Sequence, residues 1–93
     1  MSYESSNYGS LDIMKQAFVL INCELGKEDD LLTALRAITQ VKEARGVWGA
    51  YDIVAEIRSN DAESLRETIT WKIRKMPSIR ATLTLTAIEG QSW

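Results

Sequence analysis

The segment Lys15-Gln-Ala-Phe-Val-Leu-Ile-Asn-Cys-Glu-Leu25 decides how the rest of the chain is read. Ala17, Val19, Ile21, Cys23 and Leu25 alternate with Phe18, Leu20, Asn22 and Glu24, a period of two built from β-formers, and this predicts a strand. Both of its faces are apolar near the middle, so it needs cover on two sides. Gly26-Lys-Glu-Asp-Asp30 breaks the alternation and places three acids where the positive end of a helix dipole favours them. Leu31, Leu35 and Ile38, with Ala34 between, then fall three and four residues apart on one stripe, while Arg36 and Gln40 lie off it. A helix with one packed face follows.

Outward from this pair, Val41-Lys-Glu-Ala-Arg-Gly-Val-Trp48 predicts a second strand, more polar and interrupted by Gly46, as suits a sheet edge or a bulge. Gly49-Ala50 is the shortest link to Tyr51-Asp-Ile-Val-Ala-Glu-Ile-Arg58, where Tyr51, Ile53, Ala55 and Ile57 make an apolar face, so these strands form a hairpin. Asn60 precedes Glu63 by three residues, the spacing of a capping box. The stripe Ala62, Leu65, Ile69, Ile73 and Met76 follows, and Pro77 ends that helix. Ile79-Arg-Ala-Thr-Leu-Thr-Leu-Thr-Ala-Ile88 alternates Ile79, Ala81, Leu83, Leu85 and Ala87 against Arg80, Thr82, Thr84, Thr86 and Ile88, the longest strand.

The order is βαββαβ, which predicts an α+β, ferredoxin-like fold: a four-stranded antiparallel sheet with two helices on one face. The uncovered side is expected to carry Phe18, Leu20, Val54, Thr84, Thr86 and Ile88 at its middle, with Asn22, Glu24, Glu56 and Arg58 toward its ends. Exposed, that patch is a liability; stacked on a second copy at sheet-to-sheet spacing, it becomes core. The expected state is a homodimer, a dimeric α/β sandwich. In the other reading, the open face tolerates its threonines and few aliphatics in water. The domain is expected to span residues 15–90. Residues 1–14 bear acid rather than base and lead into no signal-peptide core, which predicts a flexible tail.

At 93 residues the chain holds one domain, and 45% hydrophobic with 26% charged residues excludes the disordered and low-complexity classes. A net charge of −2 gives no positive field for phosphates, so no direct nucleic-acid partner is expected. One cysteine allows neither an internal disulfide nor a cysteine-built zinc site, and the expected compartment is the cytoplasm. The absence of histidine removes the commonest general base, metal ligand and haem ligand, so no catalytic residue, metal or cofactor is expected and the chain does not read as an enzyme. The longest apolar run, Ala17-Phe-Val-Leu-Ile21, falls far short of the roughly 20 residues needed to span a membrane.

No GxGxxG, P-loop, HExxH or GxSxG motif occurs. Glu28-Asp29-Asp30 reads as electrostatic helix capping and Cys23 as a small core residue. Trp71 lies off the apolar stripe, which points to an interface, and Trp48 either anchors the hairpin or walls a pocket. The segment that can carry function is Gly46-Val-Trp-Gly-Ala-Tyr-Asp52. Backbone donors freed by Gly49, together with the Asp52 carboxylate, match a small zwitterion; the plainer reading, which the residues alone favour, is that Gly49 makes the turn and Asp52 caps it.

The run Gly46-Val-Trp-Gly-Ala-Tyr-Asp-Ile-Val54, then Ile73-Arg-Lys-Met-Pro-Ser-Ile79, then Thr82-Leu-Thr-Leu85, resembles the ligand-binding and oligomerisation module of the Lrp/AsnC regulators, the RAM domain. The resemblance implies dimers of stacked sheets, assembled into rings of dimers, with a small effector, typically an amino acid, bound between dimers. It implies that Gly49, Ala50, Tyr51 and Asp52 form one side of the ligand site and that Thr82 and Thr84 contribute to the other. Ala50 departs from the pattern by offering no polar side chain after the turn glycine. Family regulators place a helix-turn-helix domain ahead of this module, which residues 1–14 do not hold. The implied form is therefore a stand-alone module acting in transcriptional or metabolic regulation, with full-length Lrp/AsnC regulators as candidate partners. A small dimeric α/β-barrel enzyme of the cofactor-free monooxygenase kind shares the stacked sheets, although the missing histidine opposes it. An ACT-like regulatory module shares the element order but pairs its sheets side by side.

Overall fold

A computed structural model of the chain describes residues 15–86. Its elements are β1 (Lys15–Cys23), α1 (Glu28–Arg36), β2 (Val41–Gly46), β3 (Ile53–Ser59), α2 (Ala62–Glu67), a π-helical continuation of α2 over Thr68–Ile73, and β4 (Ile79–Thr86). The tail expected at 1–14, together with Ile88, lies outside the described residues. The strands form one antiparallel sheet in the order β2-β3-β1-β4. β1 to β2 and β3 to β4 are each parallel crossovers running in opposite senses. Right-handedness therefore puts both helices on the same face.

That face holds the core. Ala17, Val19, Ile21 and Cys23 of β1 and Ile53, Ala55 and Ile57 of β3 are buried beneath Leu31 and Leu35 of α1 and Leu65, Ile69 and Ile73 of the second helix. Arg36, at the end of α1, donates from both Nε (3.1 Å) and Nη2 (2.7 Å) to the Ala44 carbonyl, fastening that helix to the edge strand β2. Ile38 lies beyond the helix end but still packs on the core, whereas Ala34 is exposed.

Several local expectations change. β1 ends at Cys23 because the Glu24 N–H turns to the Ser78 carbonyl (2.8 Å), which leaves Leu25 exposed in the following turn. β2 stops at Gly46, so Val47 and Trp48 belong to the connecting loop. The second helix is capped by Asp61 rather than Asn60: Asp61 Oδ1 accepts the Ser64 N–H at 2.7 Å. Ala62 is exposed and falls off the buried stripe. Buried Thr68 donates its hydroxyl to the Ser64 carbonyl (3.0 Å), a back-bond that loosens a helix, and beyond it the Arg74 N–H reaches back five residues to the Ile69 carbonyl (2.9 Å).

The largest correction concerns β4. Asn22 pairs with Ala81 while Cys23 pairs with Ile79, so Arg80 is one residue more than the partner strand accommodates. A bulge of one residue reverses side-chain parity along a strand. Ile79 therefore packs inward, but beyond the bulge Thr82, Thr84 and Thr86 stand opposite Ile21, Val19 and Ala17 on the helix side. Leu83 and Leu85, opposite Leu20 and Phe18, take the helix-free face. Thr84 and Thr86 thus leave the face assigned to them from the pattern.

The helix-free face is organised in rows across the sheet: Arg45, Val54, Leu20 and Leu83 in one, and Glu43, Glu56, Phe18 and Leu85 in the next. Its β1–β4 half is apolar, with Leu83 44% and Leu85 45% exposed despite being the leucines of a regular strand. Its β2–β3 half is charged and paired within the chain, Arg58 to Glu56 at 2.8 Å and Arg45 to Glu43, with Gln16 donating to Glu56.

Candidate functional site

The loop between β2 and β3 is fixed at its base and open at its tip. The Val47 N–H donates to the Asp52 carbonyl (3.0 Å) and the Asp52 N–H to the Ile21 carbonyl (2.9 Å), which extends β1–β3 pairing to the loop's end. Asp52 Oδ2 accepts the Cys23 N–H at 3.0 Å. Gly49 has φ +137°, in the region that disfavours side chains, and no atom lies within 4 Å of where its Cβ would sit. Its glycine is therefore required by backbone conformation and not by close packing. Trp48 is wholly exposed, so it anchors nothing among the described residues.

Between this loop and the start of α1 lies a cleft of about 410 Å³ lined by Glu28, Gly46, Val47, Trp48, Gly49 and Asp52. Two carboxylates converge on it. Glu28 was legible in the sequence only as a helix-capping acid; the α1 N-terminus packs beside the hairpin, and this places it in the cleft. Among the described residues, the N–H groups of Trp48, Gly49, Ala50 and Tyr51 donate to no acceptor. The loop therefore offers unspent backbone donors beside anionic acceptors, the complement of a zwitterion. Buried Cys23 adjoins the site, and its thiol is pushed above its ordinary range by burial first, then by Glu28, Asp52 and Glu24.

Of the residues singled out from sequence, Gly49 and Asp52 line the cleft, while Ala50 and half-buried Tyr51 belong to the same loop. Thr82 is half-buried opposite Ile21, and Thr84 lines a separate groove between α2 and β4. One copy does not bring the two sets into a single cavity. A hollow of about 560 Å³ runs along β2, but it is the open edge of the sheet, lined by alternating Lys42, Glu43 and Arg45. Among the described residues no three His, Cys, Asp or Glu side chains are grouped to hold a metal, and no helix is long and apolar enough to cross a membrane.

Residues 16–90 match the family model of the Lrp/AsnC ligand binding domain. The chain belongs to the Lrp/AsnC family. A hypothetical protein of Pyrococcus horikoshii, known from its crystal structure, is 40% identical and covers 80% of this chain and 89% of its own, with a TM-score of 0.76. A proline dehydrogenase transcriptional activator of Rhizobium radiobacter is 30% identical over 62 residues, 67% of this chain and 40% of that protein. The Lrp/AsnC module described here thus spans about two fifths of that curated relative. A transcriptional regulator of Neisseria meningitidis, solved as its L-Met complex, covers 100% of this chain and 63% of its own at 11% identity and a TM-score of 0.75, a likeness of fold. The βαββαβ sheet with two helices on one face is the fold of this family's ligand-binding domain.

Proposed function

We propose that this Lrp/AsnC module binds a small amino acid effector in the loop cleft and transmits the binding through its state of assembly, acting in cytoplasmic transcriptional or metabolic regulation and not as an enzyme. The observation that carries the reading is the cleft itself: Glu28 and Asp52 line it together with Trp48 and Gly49, whose N–H groups are open. The effector's ammonium takes Glu28 and Asp52, and its carboxylate takes the N–H groups of the loop.

Two copies stack their helix-free faces through Phe18, Leu20, Leu83 and Leu85, and dimers associate further into a ring. The fully exposed indole of Trp48 at the loop tip gives such a contact an aromatic anchor. In the ring, the loop residues Gly49, Ala50, Tyr51 and Asp52 of one copy meet Thr82 and Thr84 of another across the effector, so a site that no single copy completes is closed by assembly. Full-length Lrp/AsnC regulators are the fitting larger partners. An effector shifts assembly only by its difference in affinity for the assembled and dissociated states.

Thermal-shift screening of the twenty amino acids, run beside native mass spectrometry, tests this reading. At least one amino acid raises the unfolding temperature in a saturable way and shifts the distribution of oligomers. Absence of any such ligand, or binding with no change in assembly, overturns it.

A further inference from the structure

Among the described residues the second helix packs chiefly over β1 and β3, which leaves the helix-side face of the edge strand β4 open beyond Ile79. What lies there is a groove of about 380 Å³. Buried Leu65 and Ile69 form its apolar floor, Thr70, Thr84 and Thr86 line it with hydroxyls, and Arg66 and Arg74 stand at its margin. Neither arginine has an ion-pair partner among the described residues, whose pairs are Arg45–Glu43 and Arg58–Glu56. Two exposed arginines without an ion pair among the described residues thus line one cavity.

We propose that this groove is a second ligand site, complete within one copy, that takes a small organic carboxylate with an apolar body. A guanidinium fork matches a carboxylate in geometry as well as charge, and threonine hydroxyls supply further donors. The floor excludes water from an apolar chain but offers nothing to a cation. The π-helical segment serves the same site. It places Ile69 and Thr70 in the groove together with Arg74, and without its extra residue Arg74 would rotate about 100° around the helix, away from the groove. The groove uses no residue of the β2–β3 loop and shares only Thr84 with the proposed effector site, so the inference does not rest on the effector reading.

Titration of the intact chain with hexanoate, followed by amide NMR, tests it. Saturable shifts are expected at Ile69, Thr70, Thr84 and Thr86, with none from hexylamine. The double variant R66Q/R74Q, which alters only exposed side chains, is expected to weaken hexanoate binding about tenfold or more, while D52N leaves it unchanged. The same spectra report whether each variant is folded. Failure of hexanoate to bind, equal shifts from hexylamine, or unchanged affinity in R66Q/R74Q would each overturn the assignment. Shifts confined to the amides of residues 48–51 would also overturn it, by placing the carboxylate at the loop instead.

Discussion

The side chain of Asp52 holds the backbone of Cys23 across the end of the sheet, Oδ2 to N at 3.0 Å. One carboxylate oxygen is thus engaged in fixing the loop, while the negative charge remains at the cleft. The residue lines the candidate site, and its structural bond goes to the neighbouring strand and not to the Gly49 turn that the sequence suggested it would cap.

The two roles separate by mutation. Asp52→Asn keeps an oxygen that can accept the Cys23 N–H and removes the charge, so the fold persists while affinity for an amino acid effector falls about tenfold or more. Asp52→Ala removes both and additionally destabilises the chain by about 1–3 kcal/mol. Calorimetric titration together with denaturant unfolding distinguishes the two; equal effector affinity in wild type and Asp52→Asn would take the charge out of the site.

Leu83 and Thr86 lie on the same strand and face opposite ways. Leu83→Asp places a charge on the helix-free face and is expected to raise the dimer dissociation constant about thirtyfold or more, whereas Thr86→Asp leaves it unchanged. Sedimentation equilibrium of the two variants reads the difference. A wild-type chain that sediments as a folded monomer at micromolar concentration removes the stacked-sheet dimer.

The Cys23 thiol is raised by burial and by the acids around it. In the folded chain it therefore stays protonated where an unfolded chain ionises, so its contribution to stability is intact below the ordinary thiol range and declines as pH rises through about 9. Alkylation by iodoacetamide at neutral pH is expected to be slow in the native protein and fast in denaturant. Rapid native alkylation would show that the strand end opens readily.

Asp61→Ala removes the hydrogen bond to the Ser64 N–H and is expected to cost about 1 kcal/mol, while Asn60→Ala costs nothing measurable. Urea denaturation of the pair decides which residue starts the helix.

Period-two and helical spacing gave the element order, the helix-bearing face of β1 and β3 and the position of the loop, because each follows from a hydrophobic pattern read within one segment. The extra residue at Arg80 does not. The alternation from Ile79 to Ile88 is unbroken in the chain, and the bulge exists only in its pairing with Asn22 and Cys23, so the strand was read in the wrong phase. The cap moved by one residue because Asn60 and Asp61 are both able caps. Glu28 escaped notice as a cleft residue for a related reason: a helix-start acid looks the same whether it faces solvent or a loop distant in sequence. The departure of Thr84 from the open face and the arrival of Leu83 on it have one origin, the bulge at Arg80.

The surplus residue at position 80 has one more implication. Because it is taken up as a bulge and not paired, the last strand turns its leucines to the helix-free side, so the surface offered to the proposed second copy is set partly by backbone pairing. Deleting Arg80 would make the ladder regular and leave every later residue on its present face, whereas taking Arg80 into the ladder opposite Asn22 would turn the strand over, trading a sticky leucine surface for a wettable threonine one. A change of register at this point would therefore exchange the two surfaces while their side chains stay the same.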